Sequence, residues 1–119
     1  MTISTTTLVD TSNKTITKAS GVGSEIGEKI VDTFSLSGAT SEPKISVAHV
    51  YYEIDGGEVT LYFENDNTKE VILSGRGNYG LKPNEERIKD VVGNILLDSD
   101  SDVKSYNIIL ETQKESGFN

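Results

Sequence analysis

Apolar and polar positions alternate most cleanly in the middle of the chain. In EVTLYFEN (58–65), Val59, Leu61 and Phe63 alternate with Thr60, Tyr62 and Glu64, the period of a strand with one buried face. The run KISVAHVYYEI (44–54), rich in β-branched and aromatic residues, precedes it across Asp55, Gly56 and Gly57. KEVILSG (69–75) follows across NDNT (65–68). Asp-Gly between two such runs is a strong hairpin signal, because a type I′ turn needs positive φ at both central residues. Residues 44–75 are therefore expected to form a three-stranded meander.

The flanks are less regular. MTISTTTLVDTS (1–12) is poor in bulky groups and rich in Thr, and reads as an extended arm or edge strand. KTITKASG (14–21) is a weakly patterned strand, and GVGSEIG breaks the chain with three glycines. In residues 28–38, Ile30, Asp32, Phe34 and Leu36 share one alternating register, which predicts a further strand. LKPNEERIKDVV (81–92) allows one short helix over 84–92: Asn84 as its cap, Glu85 and Glu86 at the positive end of its dipole, Ile88, Val91 and Val92 on one face, and Gly93 to stop it. NILLDS and KSYNIILETQ are the last two strands, with Tyr106, Ile108 and Leu110 alternating against Asn107, Ile109 and Glu111. Seven or eight short strands separated by turn signals predict an antiparallel, jelly-roll-like β-sandwich over 13–119.

Size and charge narrow the class. At 119 residues one domain is expected. The chain has no cysteine, so disulfides and thiolate metal sites are out of reach. Only 34% of residues are hydrophobic, which makes for a thin core that gains from neighbours. The formal charge is −8, and the eleven bases are dispersed from Lys14 to Lys114. That distribution argues against nucleic acid and against an anionic membrane surface as partners. No apolar run approaches the length of a membrane span, so a chain made in a cytoplasm is expected.

Several constellations invite a chemical reading. DSDSD places Asp98, Asp100 and Asp102 at the alternating positions that open a calcium loop. Val103 stands where that loop needs its glycine and Ile109 where it needs its bidentate Glu, so a turn is the expectation and these three are the weak metal candidates. GRGNYG (75–80) spells a dinucleotide fingerprint, but Leu81, Lys82 and Pro83 separate it from any helix that would hold a pyrophosphate. His49, the only histidine, is read on one side of its strand with Val47 and Tyr51; it has no second imidazole to complete a zinc site or triad. Glu53, Glu58, Glu64 and Glu111 lie on strands without a deep cleft to raise a pKa. Tyr51, Tyr52, Tyr62, Tyr79 and Tyr106 offer either core and interface packing or a sugar-binding platform. No catalytic residue and no cofactor is expected, and the chain is read as a non-enzyme.

TLVDTSNKTITKASGVGSE, VDTFSLSGA, ISVAHVYYEI, LSGRGNYGL, GNILLDS and SYNIILETQKESGF occur in this order over nearly the whole length. In these stretches the chain resembles the small virion structural proteins of tailed bacteriophages, especially those of marine cyanophages. The resemblance implies a non-enzymatic β-sandwich of the virion, assembled in the host cytoplasm. Its foremost expected role is a capsid decoration (cement) protein on the outer head surface, partnered by the major capsid protein and by symmetric copies of itself. A neck or tail accessory protein is the nearest alternative, and a carbohydrate-binding β-sandwich module the alternative from another class. Attachment is expected through residues 1–12, where Ile3, Leu8 and Val9 stand among Thr and Ser. Added as a strand to a neighbour's edge, Leu8 and Val9 would fill pockets on opposite faces.

Overall fold

A computed structural model describes residues 2–64, 66–79 and 91–118. Among these residues ten strands form, in chain order β1 Thr2–Asp10, β2 Lys14–Val22, β3 Glu25–Val31, β4 Lys44–Asp55, β5 Val59–Phe63, β6 Asp66–Leu73, β7 Arg76–Tyr79, β8 Val91–Val92, β9 Ile95–Ser99 and β10 Ser105–Lys114. They make two antiparallel sheets. Sheet A runs β1-β2-β10-β4-β7, with β8 against the start of β4, and sheet B runs β3-β9-β5-β6. Setting β1 and β8 aside, the remaining eight strands have the order of a jelly roll, two Greek keys folded face to face. The β-sandwich read from the alternation is what the chain forms.

Alternation builds the core. Val59, Leu61 and Phe63 of β5, Ile95 and Leu97 of β9, and Val71 and Leu73 of β6 point inward from sheet B. They meet Ile45, Val47, Val50 and Ile54 of β4 and Tyr106, Ile108 and Leu110 of β10. Fully burying one such side chain contributes roughly 1.5–3 kcal/mol. Several polar members of the interior are tied down. Thr15 of β2 and Thr112 of β10 share a hydrogen bond between their hydroxyls, and buried Asn94 accepts from the Thr33 N–H at 2.9 Å and donates to Glu64 at 3.1 Å.

The meander expectation for 44–75 is corrected. β5 and β6 do form a hairpin, but β4 belongs to the opposite sheet, so the Asp55–Gly57 corner crosses between sheets. The positive φ falls on Gly56 and Gly57, not on an Asp55–Gly56 type I′ hairpin pair. A reversal signal does not say which sheet the next strand joins. The strand expected over 28–38 ends at Val31, and Thr33–Ser35 form a single 3₁₀ turn. There the Ser35 hydroxyl donates to Asp32 at 2.9 Å, a local bond that competes with a ladder, and the Thr33 hydroxyl ties the turn to the distant Gly93 carbonyl at 2.6 Å. The helix expected over 84–92 lies mostly outside the described residues. Its last two positions, Val91 and Val92, instead pair with Ile45 and Lys44, where a β-branched pair suits a short ladder.

Candidate functional site

Four crossings between the sheets gather at one rim of the sandwich: β2 to β3, β4 to β5, β6 to β7 and β9 to β10. They are bonded to one another. The Gly23 N–H donates to the Lys104 carbonyl, the Lys104 N–H to the Asp55 carbonyl, the Ile54 N–H to the Gly75 carbonyl and the Asp100 N–H to the Glu58 carbonyl. Gly56 lies so close to this weave that a Cβ on it would come within 2.2 Å of the Asp102 carbonyl oxygen.

The acidic run borders this rim, and two of its three carboxylates are engaged within the fold. Asp100 accepts from the Asp102 N–H at 3.0 Å and from the Glu58 N–H at 2.9 Å. Asp98 lies on the outer face of sheet B, where one carboxylate oxygen accepts from the Gly27 N–H at 2.7 Å and the Tyr62 hydroxyl at 3.0 Å. Burial first, then that bond to a carboxylate, hold the Tyr62 hydroxyl above its ordinary value. The Asp98 and Asp100 carboxylates serve different partners, and Asp102 enters the turn through its backbone. Among the described residues no three acidic, histidine or cysteine side chains form a metal-binding group.

The attachment candidates lie on β1, hydrogen-bonded along its length to β2 and leaving its other edge open. Ile3 is half-buried against the core, Val9 is half-buried, and Leu8 is 52% exposed. β1 carries a bulge at these residues. The register shifts between Thr7 and Val9, so Thr7 pairs with Thr17 and Val9 with Ile16, and strict alternation fails at Leu8. Past the bulge Asp10 turns to Lys114, whose ammonium is buried with its side chain 1% exposed. Lys114 Nζ donates to Asp10 at 2.6 Å, to the Thr11 carbonyl at 2.6 Å and to the Ser37 carbonyl at 2.8 Å, and lies 5.2 Å from the centre of the Phe118 ring. Lys114 falls at the inward register of Tyr106, Ile108, Leu110 and Thr112, so the sequence carried a signal for it that propensity alone hides.

The outer face of sheet A is the third region. A register shift in β4 between Val47 and His49 places His49 outward with Tyr51 and leaves Val47 inside, correcting the shared side read for all three. Tyr51 is 52% exposed, whereas Tyr52 and Tyr79 pack against the core and Tyr106 is buried within it. His49 meets the Tyr51 ring edge-on at 6.3 Å, and its Nε2 shares a 3.3 Å hydrogen bond with Asn78 Oδ1. Beside them Arg76 Nε lies 3.3 Å from Glu53. An open groove of about 300 Å³ runs along Glu53, Ile54, Asp55, Arg76, Ser105 and Asn107. Between the sheets, by contrast, the void lined by Val47, Leu61, Phe63 and Leu110 holds only about 10 Å³, room for a single water.

No family model matches the chain and no curated protein does. Solved structures are similar in fold at low identity. A cupin superfamily protein from Desulfitobacterium hafniense is 11% identical, with 95% of this chain and 77% of that one covered and a TM-score of 0.42. A cupin domain from Bordetella pertussis is 9% identical, with 96% and 94% covered and a TM-score of 0.43. A protein described as BiXyn10A CBM1 in its apo form is 14% identical, with 94% and 90% covered and a TM-score of 0.49.

Proposed function

We propose that this chain is a non-enzymatic structural subunit of a bacteriophage virion, a decoration protein of the outer head surface that docks through β1. The reading rests on the resemblance of the sequence stretches given above and on one observation, the unequal guarding of the sheet edges. β3 carries Glu25, Glu28 and Lys29 and two register shifts. β6 carries Glu70 and a register shift, and β7 has only four residues. Charge, irregularity and shortness are the usual means of keeping an edge from pairing. β1 has nine residues and no charge before Asp10. It offers its backbone donors and acceptors to a strand of a neighbouring capsid subunit, and no like charges meet there despite the acidity of the chain. Copies arranged about a symmetry axis add avidity to each weak contact.

Thr6→Glu tests this. Thr6 pairs across β1 and β2 with Lys18, so the new carboxylate is compatible with the fold while charging the open edge. Binding to purified particles stripped of this protein is expected to fall at least tenfold with the circular dichroism unchanged. Equal binding by the folded variant would remove β1 as the attachment. Mass spectrometry of intact particles, scaled to the major capsid protein, is expected to give hundreds of copies. About six or twelve would move the protein to the neck or tail, and absence from particles would end the virion reading.

A further inference from the structure

The geometry points to a second role for a surface that β1 docking leaves uncovered: the outer face of sheet A around Tyr51 binds neutral saccharides. This goes beyond the virion reading and depends on different residues. Tyr51 stands in the middle of the sheet with Ile109 paired beside it on β10, 42% exposed, so the two make an apolar strip on a flat surface. The C–H face of a pyranose ring stacks on such a strip, and an aromatic contributes large contact area at small entropic cost.

The polar groups around that strip are planar and paired. Asn78 lies opposite Tyr51 on β7 and Arg76 opposite Glu53, while Asn107 lies opposite Glu53 on β10. Amides, a carboxylate and a guanidinium each present two polar atoms in one plane, the arrangement that takes two neighbouring hydroxyls at once. All are carried on strands, and the His49–Asn78 and Arg76–Glu53 contacts brace them before any ligand arrives. The groove continuing along Glu53, Arg76 and Asn107 has about 300 Å³, the lower end of small-ligand sites.

Charge selects the class of sugar. Among the described residues the face sets Lys14, Lys18, Lys44 and Arg76 against Glu53, Asp55 and Glu111, close to balance although the whole chain carries −8. A polyanionic glycan finds no positive field here, and a cationic ligand no negative one. A neutral oligosaccharide matches.

The test is a titration of the ¹⁵N-labelled full chain with neutral tetrasaccharides of glucose, galactose, mannose or xylose, alongside an oligogalacturonate. At least one neutral sugar is expected to shift amides confined to the outer face of sheet A, with a Kd of about 0.1–1 mM. Tyr51→Ala is expected to weaken that binding at least tenfold, while Thr60→Ala on the outer face of sheet B leaves it unchanged. The spectrum itself reports whether each variant is folded. Asn78→Ala serves as the second reporter if Tyr51→Ala does not fold. Four results would each overturn the assignment: no shifts with any neutral sugar at about 10 mM, shifts elsewhere on the molecule, binding that survives both variants, or tighter binding of the oligogalacturonate. If the parent binds no neutral sugar and a folded Tyr51→Ala variant loses particle binding, the face is a protein contact instead.

Discussion

Lys114 brings a charge into the sandwich because one carboxylate and two carbonyls meet it there. Burial pushes the Asp10 carboxyl up, but hydrogen bonds from Lys114 and the Ser37 N–H, with the Lys114 charge, outweigh it and hold the group below 3.8. A carboxylate depressed in the folded state stabilises above its unfolded pKa, and that contribution is lost as pH falls through the folded value. Asp10→Asn is therefore expected to cost about 2 kcal/mol at pH 7, less than a fully buried broken pair because two carbonyls remain. Urea unfolding from pH 7 down to 2 should show a flatter acid limb in the variant. At the other end of the core, Tyr106 keeps a buried hydroxyl without a hydrogen-bond partner, near Glu25, whose carboxylate is also unpartnered and 1% exposed. Burial first, then the charges of Glu25 and Glu28, push Tyr106 up to about 12. Between pH 10 and 12 the unfolded chain releases this proton and the folded one holds it, so stability falls with rising pH over that window. Tyr106→Phe is expected to raise stability by about 1 kcal/mol at pH 7 and to remove that alkaline slope in thermal unfolding.

At the level of elements, the corners decide more than the strands. Gly75 has positive φ and open space around its missing Cβ, so Gly75→Ala is expected to cost about 1 kcal/mol, the backbone penalty alone. Gly56 has the same sign of φ and the Asp102 carbonyl against it, so Gly56→Ala should cost at least twice as much by denaturant unfolding. Similar losses at both positions would mean that the rim yields easily. These corners also explain what was legible in the sequence. Period-two runs such as Val59, Leu61 and Phe63 announced strands and their inward faces. Asp55–Gly57 announced a reversal, but whether a reversal makes a hairpin or changes sheets depends on Lys104 and Asp102, far along the chain. Bulges are equally silent: one extra residue in β1 interrupts the alternation at Leu8, one in β4 parts His49 from Val47, and nothing local marks either place. The exposed Tyr51 face was visible only as one of five tyrosines, because exposure follows from register.

For the whole molecule, the acidic chain is compact, with a radius of gyration of 13.4 Å, and it offers its surroundings one long uncharged edge and one balanced outer face. The two lie on the same sheet but present different chemistry, backbone ladder on one side and planar polar groups with an apolar strip on the other. Thr6→Glu acts on the first and Tyr51→Ala on the second, so the two variants should separate in their effects on particle binding and on sugar binding.

The placement of β10 also fixes when this protein can exist at all. It follows in the chain every other strand, yet it lies in the centre of sheet A, between β2 and β4. Until it emerges during synthesis, β2 and β4 have no ladder to join them and the inward faces of both sheets lack Tyr106, Ile108 and Leu110. Pairings between such distant segments form slowly, and they expose unpaired edges while they wait. The two sheets cannot close before β10 is delivered, and its pairing with β2 and β4 completes sheet A with β1 at the edge.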